Sequence, residues 1–161
     1  MDAILEAIAR ASGRPAELAE ARGLGGGCIG DARRLSLRDG RTFFVKQQPG
    51  APPDQLQREA EGLRALRAAD VLRVPEVVAV AREFIVLEHI ETSSRRPPGF
   101  SRAFGAALAE LHASTSAARF GFAHDNYLGA TPQPNGELDD WVEFFGRRRI
   151  GYQLGLARER G

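Results

Sequence analysis

The sequence predicts an α+β fold in two parts: an antiparallel sheet carrying one amphipathic helix over residues 1–90, then an α-rich part over 91–161. Three observations carry this. Leu35 and Leu37 alternate with polar neighbours, Asp39-Gly40 is a strong hairpin signal, and Thr42-Phe43-Phe44-Val45-Lys46 reads as the returning strand. Leu56, Ala60, Leu63 and Leu66 then recur at helical spacing. Beyond residue 100, helical patterns at 101–114 and from Asp139 to Gly161 flank a stretch rich in Gly, Asn, Pro and aromatics.

The elements follow in order. Residues 1–22 read as helical, with Ile4, Leu5 and Ile8 on one face and Leu18 after an interruption at Gly13 to Pro15. The bend Pro49-Gly50-Ala51-Pro52-Pro53 precedes a helix opening at Asp54, a candidate N-cap. Val74-Pro75 leads into short strands at 77–81 and 84–87, ending in Glu88-His89-Ile90, and 92–99 is a polar connector. Phe104, Leu108 and Leu111 share one face of the next helix, which His112 ends as a helix-terminal or core histidine. Phe120 to Asn135 lacks periodicity and reads as an ordered binding loop. Asp139-Asp140-Trp141 opens the last helix, with Trp141, Phe144, Phe145 and Tyr152 on its apolar side.

Composition excludes several classes of function. A net charge of +1 argues against a nucleic-acid or acidic-membrane binder. The apolar runs are far shorter than the roughly 20 residues that span a bilayer. Asp2 and Glu6 interrupt the N-terminal apolar residues, so no signal peptide is read, and the chain is expected to be soluble and cytoplasmic. The single cysteine, Cys28, excludes an internal disulfide and a multi-cysteine metal site. Of the 22 basic residues only Lys46 is lysine. A chain that otherwise writes arginine either keeps one lysine by coding bias or needs a compact ammonium there.

Gly25, Gly26, Gly27 and Gly30, with Cys28 and Ile29 between them, form a cluster that suits close backbone approach to a ligand. Gly25, Gly27 and Gly30 match G-x-G-x-x-G, a weak signal alone, and the flanks discriminate. A dinucleotide fold needs a strand before and a helix after, whereas here the preceding segment reads as helical and the following one does not. A Walker loop needs Gly-Lys-Ser/Thr, and Ile29-Gly30-Asp31 is not that. A kinase-type loop lies between antiparallel strands with its lysine on the strand after, which the residues from Asp31 to Lys46 fit. Glu59 sits within the apolar stripe of its helix while Glu61 points away, so Glu59 requires a cationic partner and Lys46 is the natural one. Main-chain groups at the strand exit, Leu87, Glu88 and Ile90, would then meet adenine. Cys28, beside phosphate-binding amides and a lysine, is either a reactive thiol or simply a small residue in a tight turn. Oxidation of a reactive Cys28 would give a small-thiol adduct or a disulfide-linked homodimer. His124-Asp125-Asn126 is not a kinase catalytic loop, whose His and Asp are separated by one residue.

The chain resembles the fructosamine kinase (ketosamine 3-kinase) family, relatives of the aminoglycoside phosphotransferases with a protein-kinase-like fold. The resemblance is carried in order by GGGCI at 25–29, FFVK at 43–46, EAEGLRAL at 59–66, RVPEV at 73–77, VLEHIE at 86–91 and GAALAELHAS at 105–114. Its most specific parts are FGFAHDNYLGATPQPN at 120–135 and DDWVEFFGRRRIGYQLGLA at 139–157. The resemblance implies a kinase-like N-lobe with an αC-type helix and the opening of a helical C-lobe. It implies ATP- and Mg²⁺-dependent phosphorylation of a sugar hydroxyl on ketosamines, small or carried on glycated proteins; the unstable product releases the amine, which is deglycation. Lys46 would hold the α- and β-phosphates with Glu59 fixing it, and Gly25 to Gly30 would cover the nucleotide. Asp125, Asn126, Gln133, Asn135 and Trp141 would shape the ketosamine side. The family's catalytic aspartate and metal ligands lie in motifs expected beyond Gly161, so no catalytic or metal-binding residue is expected within these residues, and the chain alone is expected to be inactive. The departure at Gly30-Asp31, where relatives often carry Asn, makes the glycine match partly accidental. An aminoglycoside-type phosphotransferase and a non-catalytic nucleotide-binding remnant remain the alternatives.

Overall fold

The computed structural model describes residues 1–25 and 31–161. These divide into two compact units, Met1–Ser114 and Thr115–Gly161. This division differs from the 90/91 boundary read from sequence, since the helix after the connector belongs to the first unit.

In the first unit, α1 (Asp2–Ser12) stops at Gly13, whose φ of 66° is the left-handed conformation that ends a helix at little cost to glycine. The chain then forms β1 (Leu18–Gly23), and the helical reading of 18–22 is corrected. Ala, Glu and Arg favour helix locally by only tenths of a kcal/mol. Antiparallel pairing of β1 with β2 (Asp31–Leu37), from Leu18↔Leu37 to Gly23↔Arg33, overrides that preference. The β2–β3 hairpin is as expected: Gly40 turns at φ 85°, and β3 spans Thr42–Gln47. Helix α2 (Gln55–Ala68), β4 (Val77–Val80), β5 (Phe84–Glu88) and α3 (Phe100–Ser114) follow. The sheet is antiparallel throughout, in the order β1-β2-β3-β5-β4.

Strand parity assigns each sheet face a different helix. Leu35, Leu37, Val45 and Val86 pack with Ile4 and Ile8 of α1. The alternate residues Phe44, Ile85 and Leu87 pack with Leu56, Ala60 and Leu63 of α2. Leu66 leaves the expected stripe and is 47% exposed. Ten residues at 100° each carry it about 80° round the helix from Leu56. Asp54 sits at the N-cap but makes no capping bond; its carboxylate takes Arg58 Nε at 3.1 Å. On α3 only Leu111 is buried, and Phe100, Phe104 and Leu108 remain exposed, with Phe100 stacked on Phe104. His112 is exposed as well.

The second unit corrects the reading of 120–135 as irregular. A hairpin of β6 (Asn126–Leu128) and β7 (Thr131–Gln133) turns at Gly129 and Ala130. Gly129, at φ 65°, fills the first position of a two-residue turn that requires such a residue. Pro132 is tolerated because a two-stranded sheet consists only of edges. The last helix is not uniform: α4 (Trp141–Phe144) widens into a π-helix (Phe145–Gly151) before α5 (Tyr152–Arg160). Asp140 caps α4, accepting from the Glu143 amide at 2.7 Å. Gly151 permits the wide turn, since a Cβ there would lie 2.9 Å from the Gly146 carbonyl. Of the expected apolar side, Phe144 is buried while Trp141 and Phe145 are exposed.

Candidate nucleotide site

Lys46 lies on the α2-facing side of the sheet, between Ala32 on β2 and Ile85 on β5. Its Nζ donates to Glu59 Oε2 at 2.7 Å, the pairing expected from the sequence. Glu59 is left to the lysine because the adjacent Arg58 is occupied by Asp54 and by Glu61, whose carboxylate it meets at 2.9 Å. Both side chains keep partial exposure, 20% for Lys46 and 34% for Glu59. A pair so hydrated adds at most about 1 kcal/mol to stability, and its effect is mainly orientation: it holds the ammonium in place.

Beside this pair is a cavity of about 510 Å³. Leu24 and Gly25 contribute from just after β1, Ala32 from β2, Phe44 from β3, Leu87 and Glu88 from the end of β5, and His89, Ile90 and Thr92 from the segment that follows, with Pro75 alongside. The walls are apolar, and the polar groups come from the strand exit. The Glu88 amide donates to the Glu76 carbonyl at 2.9 Å and so is not open to a ligand. The Ile90 amide has no hydrogen-bond partner among the described residues. At the rim, Glu91 receives Arg34 at 3.1 Å and lies 3.5 Å from His89 Nδ1, a buried atom without a hydrogen bond. Gly25 lines the cavity, whereas Gly26, Gly27, Cys28, Ile29 and Gly30, with the redox reading of Cys28, lie outside the described residues.

In the second unit, four of the five expected ketosamine-side residues have polar atoms engaged in building their own loop. Asn135 is 1% exposed. Its backbone amide donates to Asp125 Oδ1 at 2.7 Å, its Nδ2 to the His124 carbonyl at 3.0 Å, and its Oδ1 accepts from Arg149 Nη2 at 2.6 Å. Asn126 and Gln133 face each other across the hairpin and bond at 2.8 Å. Trp141 is the exposed exception, at the centre of an aromatic group with Phe120, Phe144 and Phe145. Sequence reading missed Arg149, which also donates to the Pro134 carbonyl at 2.7 Å and lies 4.7 Å over the Phe144 ring. Desolvation lowers its pKa, yet it stays cationic. The signal was present in Arg147-Arg148-Arg149, whose last two members are half-buried.

Among the described residues no three His, Cys, Asp or Glu side chains gather to hold a metal ion, and no helix is long and apolar enough to cross a membrane.

The sequence and the fold both match known proteins. The family model described as fructosamine kinase matches residues 1–161. A protein named as a ketoamine kinase from Synechocystis sp. is 38% identical over 162 residues, covering 98% of this chain and 54% of its own length. The chloroplastic protein-ribulosamine 3-kinase of Arabidopsis thaliana is 36% identical, with 91% of this chain and 46% of that protein covered. The crystal structure of a protein described as a fructosamine-3-kinase from Haemophilus somnus 129PT matches with a TM-score of 0.86 at 26% identity, over 98% of this chain and 54% of that one. A corresponding protein from Thermobifida fusca YX-ER1 gives 0.84 at 28% identity, over 100% and 56%. The chain thus spans about half the length of the curated relatives it matches. With its kinase-like lobe and a family match over its whole length, the chain belongs to the fructosamine kinase family.

Proposed function

We infer that these residues form the nucleotide-binding part of an ATP-dependent ketosamine kinase. The observation that carries the reading is the Lys46–Glu59 pair, 2.7 Å long, beside an apolar cavity whose polar groups are main-chain groups of a strand exit. Adenine would lie between the Leu24/Ala32 and Phe44/Leu87 walls, with the Glu88 carbonyl accepting from it and the Ile90 amide donating to it. Lys46, kept in place by Glu59, would bind the α- and β-phosphates as a point charge, and Gly25 to Gly30 would cover them. ATP supplies the γ-phosphoryl group for a sugar hydroxyl. The ketosamine class of that sugar, free or on a glycated protein, is supported by the names of the relatives. In this reading residues 1–90 bind the nucleotide and 91–161 begin the substrate side, where Trp141 presents an aromatic face and Asp125, Asn126, Gln133 and Asn135 shape the loop. The acids that would orient the hydroxyl and hold Mg²⁺ are expected outside these residues, so no step is assigned to them.

Thermal unfolding with and without ATP tests the reading. Ligand at 100 times its Kd adds about 2.7 kcal/mol, a rise of roughly 5–10 °C for a chain of this size. Lys46→Met should abolish most of it. The reading fails if ATP gives no shift, or the same shift in Lys46→Met.

A further inference from the structure

Helix α2 is tied to the rest of the unit by polar side chains at two points. Near its middle, Glu59 holds Lys46 at 2.7 Å. Two turns further on, Arg67 donates to the Val74 carbonyl at 2.8 Å and approaches Glu88 Oε2 at 3.9 Å. Val74 precedes Pro75, and both Pro75 and Glu88 line the cavity. Glu88 is held from three further directions. Its carboxylate accepts from Arg73 and from the Glu76 amide at 3.3 Å, while its own amide donates to the Glu76 carbonyl at 2.9 Å. Alone, each side-chain pair here is partly exposed and worth about 1 kcal/mol or less. Joined to one rigid helix they form a contiguous network, and such a network can carry an effect from one end to the other.

We propose that Arg67, assisted by Arg73, is a positioning residue that couples the base end of the cavity to the Lys46–Glu59 pair through α2. The proposal rests on the nucleotide reading above and adds regulation within that site. Filling the base end favours the paired arrangement of Lys46 and Glu59. Because coupling between sites is reciprocal, breaking the pair weakens binding at the base end.

Adenosine isolates this effect, since it has no phosphate for Lys46 to bind. Calorimetric titration gives its dissociation constant for the wild type, Glu59→Gln, Arg67→Met and the double variant, with ATP titrated into the wild type alongside. Glu59→Gln should weaken adenosine by about three- to ten-fold although it does not touch it. Arg67→Met should weaken it comparably, and the double variant no further than Arg67→Met alone. Arg67→Lys, which keeps a donor for Val74, should restore the dependence on Glu59. If Arg67 acts only structurally, the thermal midpoint falls but the two effects multiply in the double variant, which overturns the coupling. Adenosine binding indifferent to Glu59→Gln overturns it as well. Should Arg67→Met fail to fold, Arg73→Met, at a side chain 66% exposed, carries the same comparison. Wild-type protein that binds neither ATP nor adenosine overturns the nucleotide reading itself, whereas ATP binding with multiplicative variants overturns only the coupling.

Discussion

Replacing Asn135 by alanine removes the side chain on which the 120–138 loop is assembled. Two hydrogen bonds go with it: Nδ2 to the His124 carbonyl at 3.0 Å, and Oδ1 from Arg149 at 2.6 Å. The first is a neutral bond worth about 1 kcal/mol, and the second involves a cation and is worth about 1.5–3 kcal/mol. Asn135 is 1% exposed, so water does not replace either partner without opening the loop. The backbone bond from its amide to Asp125 survives the substitution, as does Arg149 to Pro134. The expected loss is therefore about 3 kcal/mol, on the order of a hundredfold in the unfolding equilibrium. Trp141 is the single tryptophan and lies in the same unit, 5.5 Å from the Phe120 ring, so its fluorescence in a urea titration follows this unit in particular. Asn126→Ala, which loses one neutral bond to Gln133, is the control and should cost about 1 kcal/mol. A Trp141 transition displaced no further by Asn135→Ala than by Asn126→Ala would refute the assignment of Asn135 as the keystone of the loop.

Asp70 follows α2 in the left-handed conformation, at φ 52°, which costs an L-residue energy that glycine avoids. Asp70→Gly should raise stability by about 0.5–1 kcal/mol, seen as a higher thermal midpoint. Gly121→Ala should destabilise by about 2–3 kcal/mol, because its Cβ would meet the Asn135 carbonyl oxygen at 2.6 Å; Gly146→Ala, with open space around it, should not, and chemical denaturation compares the two. Asp39 has its pKa lowered, first by the Arg41 amide and then by the Arg41 and Arg14 side chains. The group is depressed in the folded state, so its stabilisation is full above the unfolded value of about 3.9 and is lost as pH falls through the lower folded value. Asp39→Asn should therefore flatten the acid limb of the stability–pH profile below about pH 4, measured by urea midpoints, and an unchanged limb would exclude Asp39 as a contributor.

The parts legible from sequence were those governed by near neighbours. Asp39-Gly40 between two alternating runs dictates a two-strand hairpin, and the parity of β3 puts Phe44 and Lys46 on one face with Val45 on the other. Helical spacing turns Glu59 towards the sheet, and these two local rules are enough to bring Lys46 and Glu59 together. The same reasoning failed at Leu18 to Arg22, where side chains of modest helical preference gain strand hydrogen bonds only because β2 lies beside them. It also failed at the β6–β7 hairpin, whose strands are three residues each and too short for alternation to register, although Gly129-Ala130 carried a turn signal.

Residue types and spacing thus established the kinase-like order of elements and the two members of the Lys46–Glu59 pair. They could not establish which polar groups remain open to a ligand. That Glu88 has spent its amide on Glu76, that Asn135 is enclosed by His124 and Arg149, and that Arg67 connects α2 to the exit of β5 depend on partners eight or more residues away. Periodicity and dihedral preference are encoded by adjacent residues and can be read along the chain. Whether a polar group is satisfied depends on what folding brings against it, and only the tertiary arrangement specifies that.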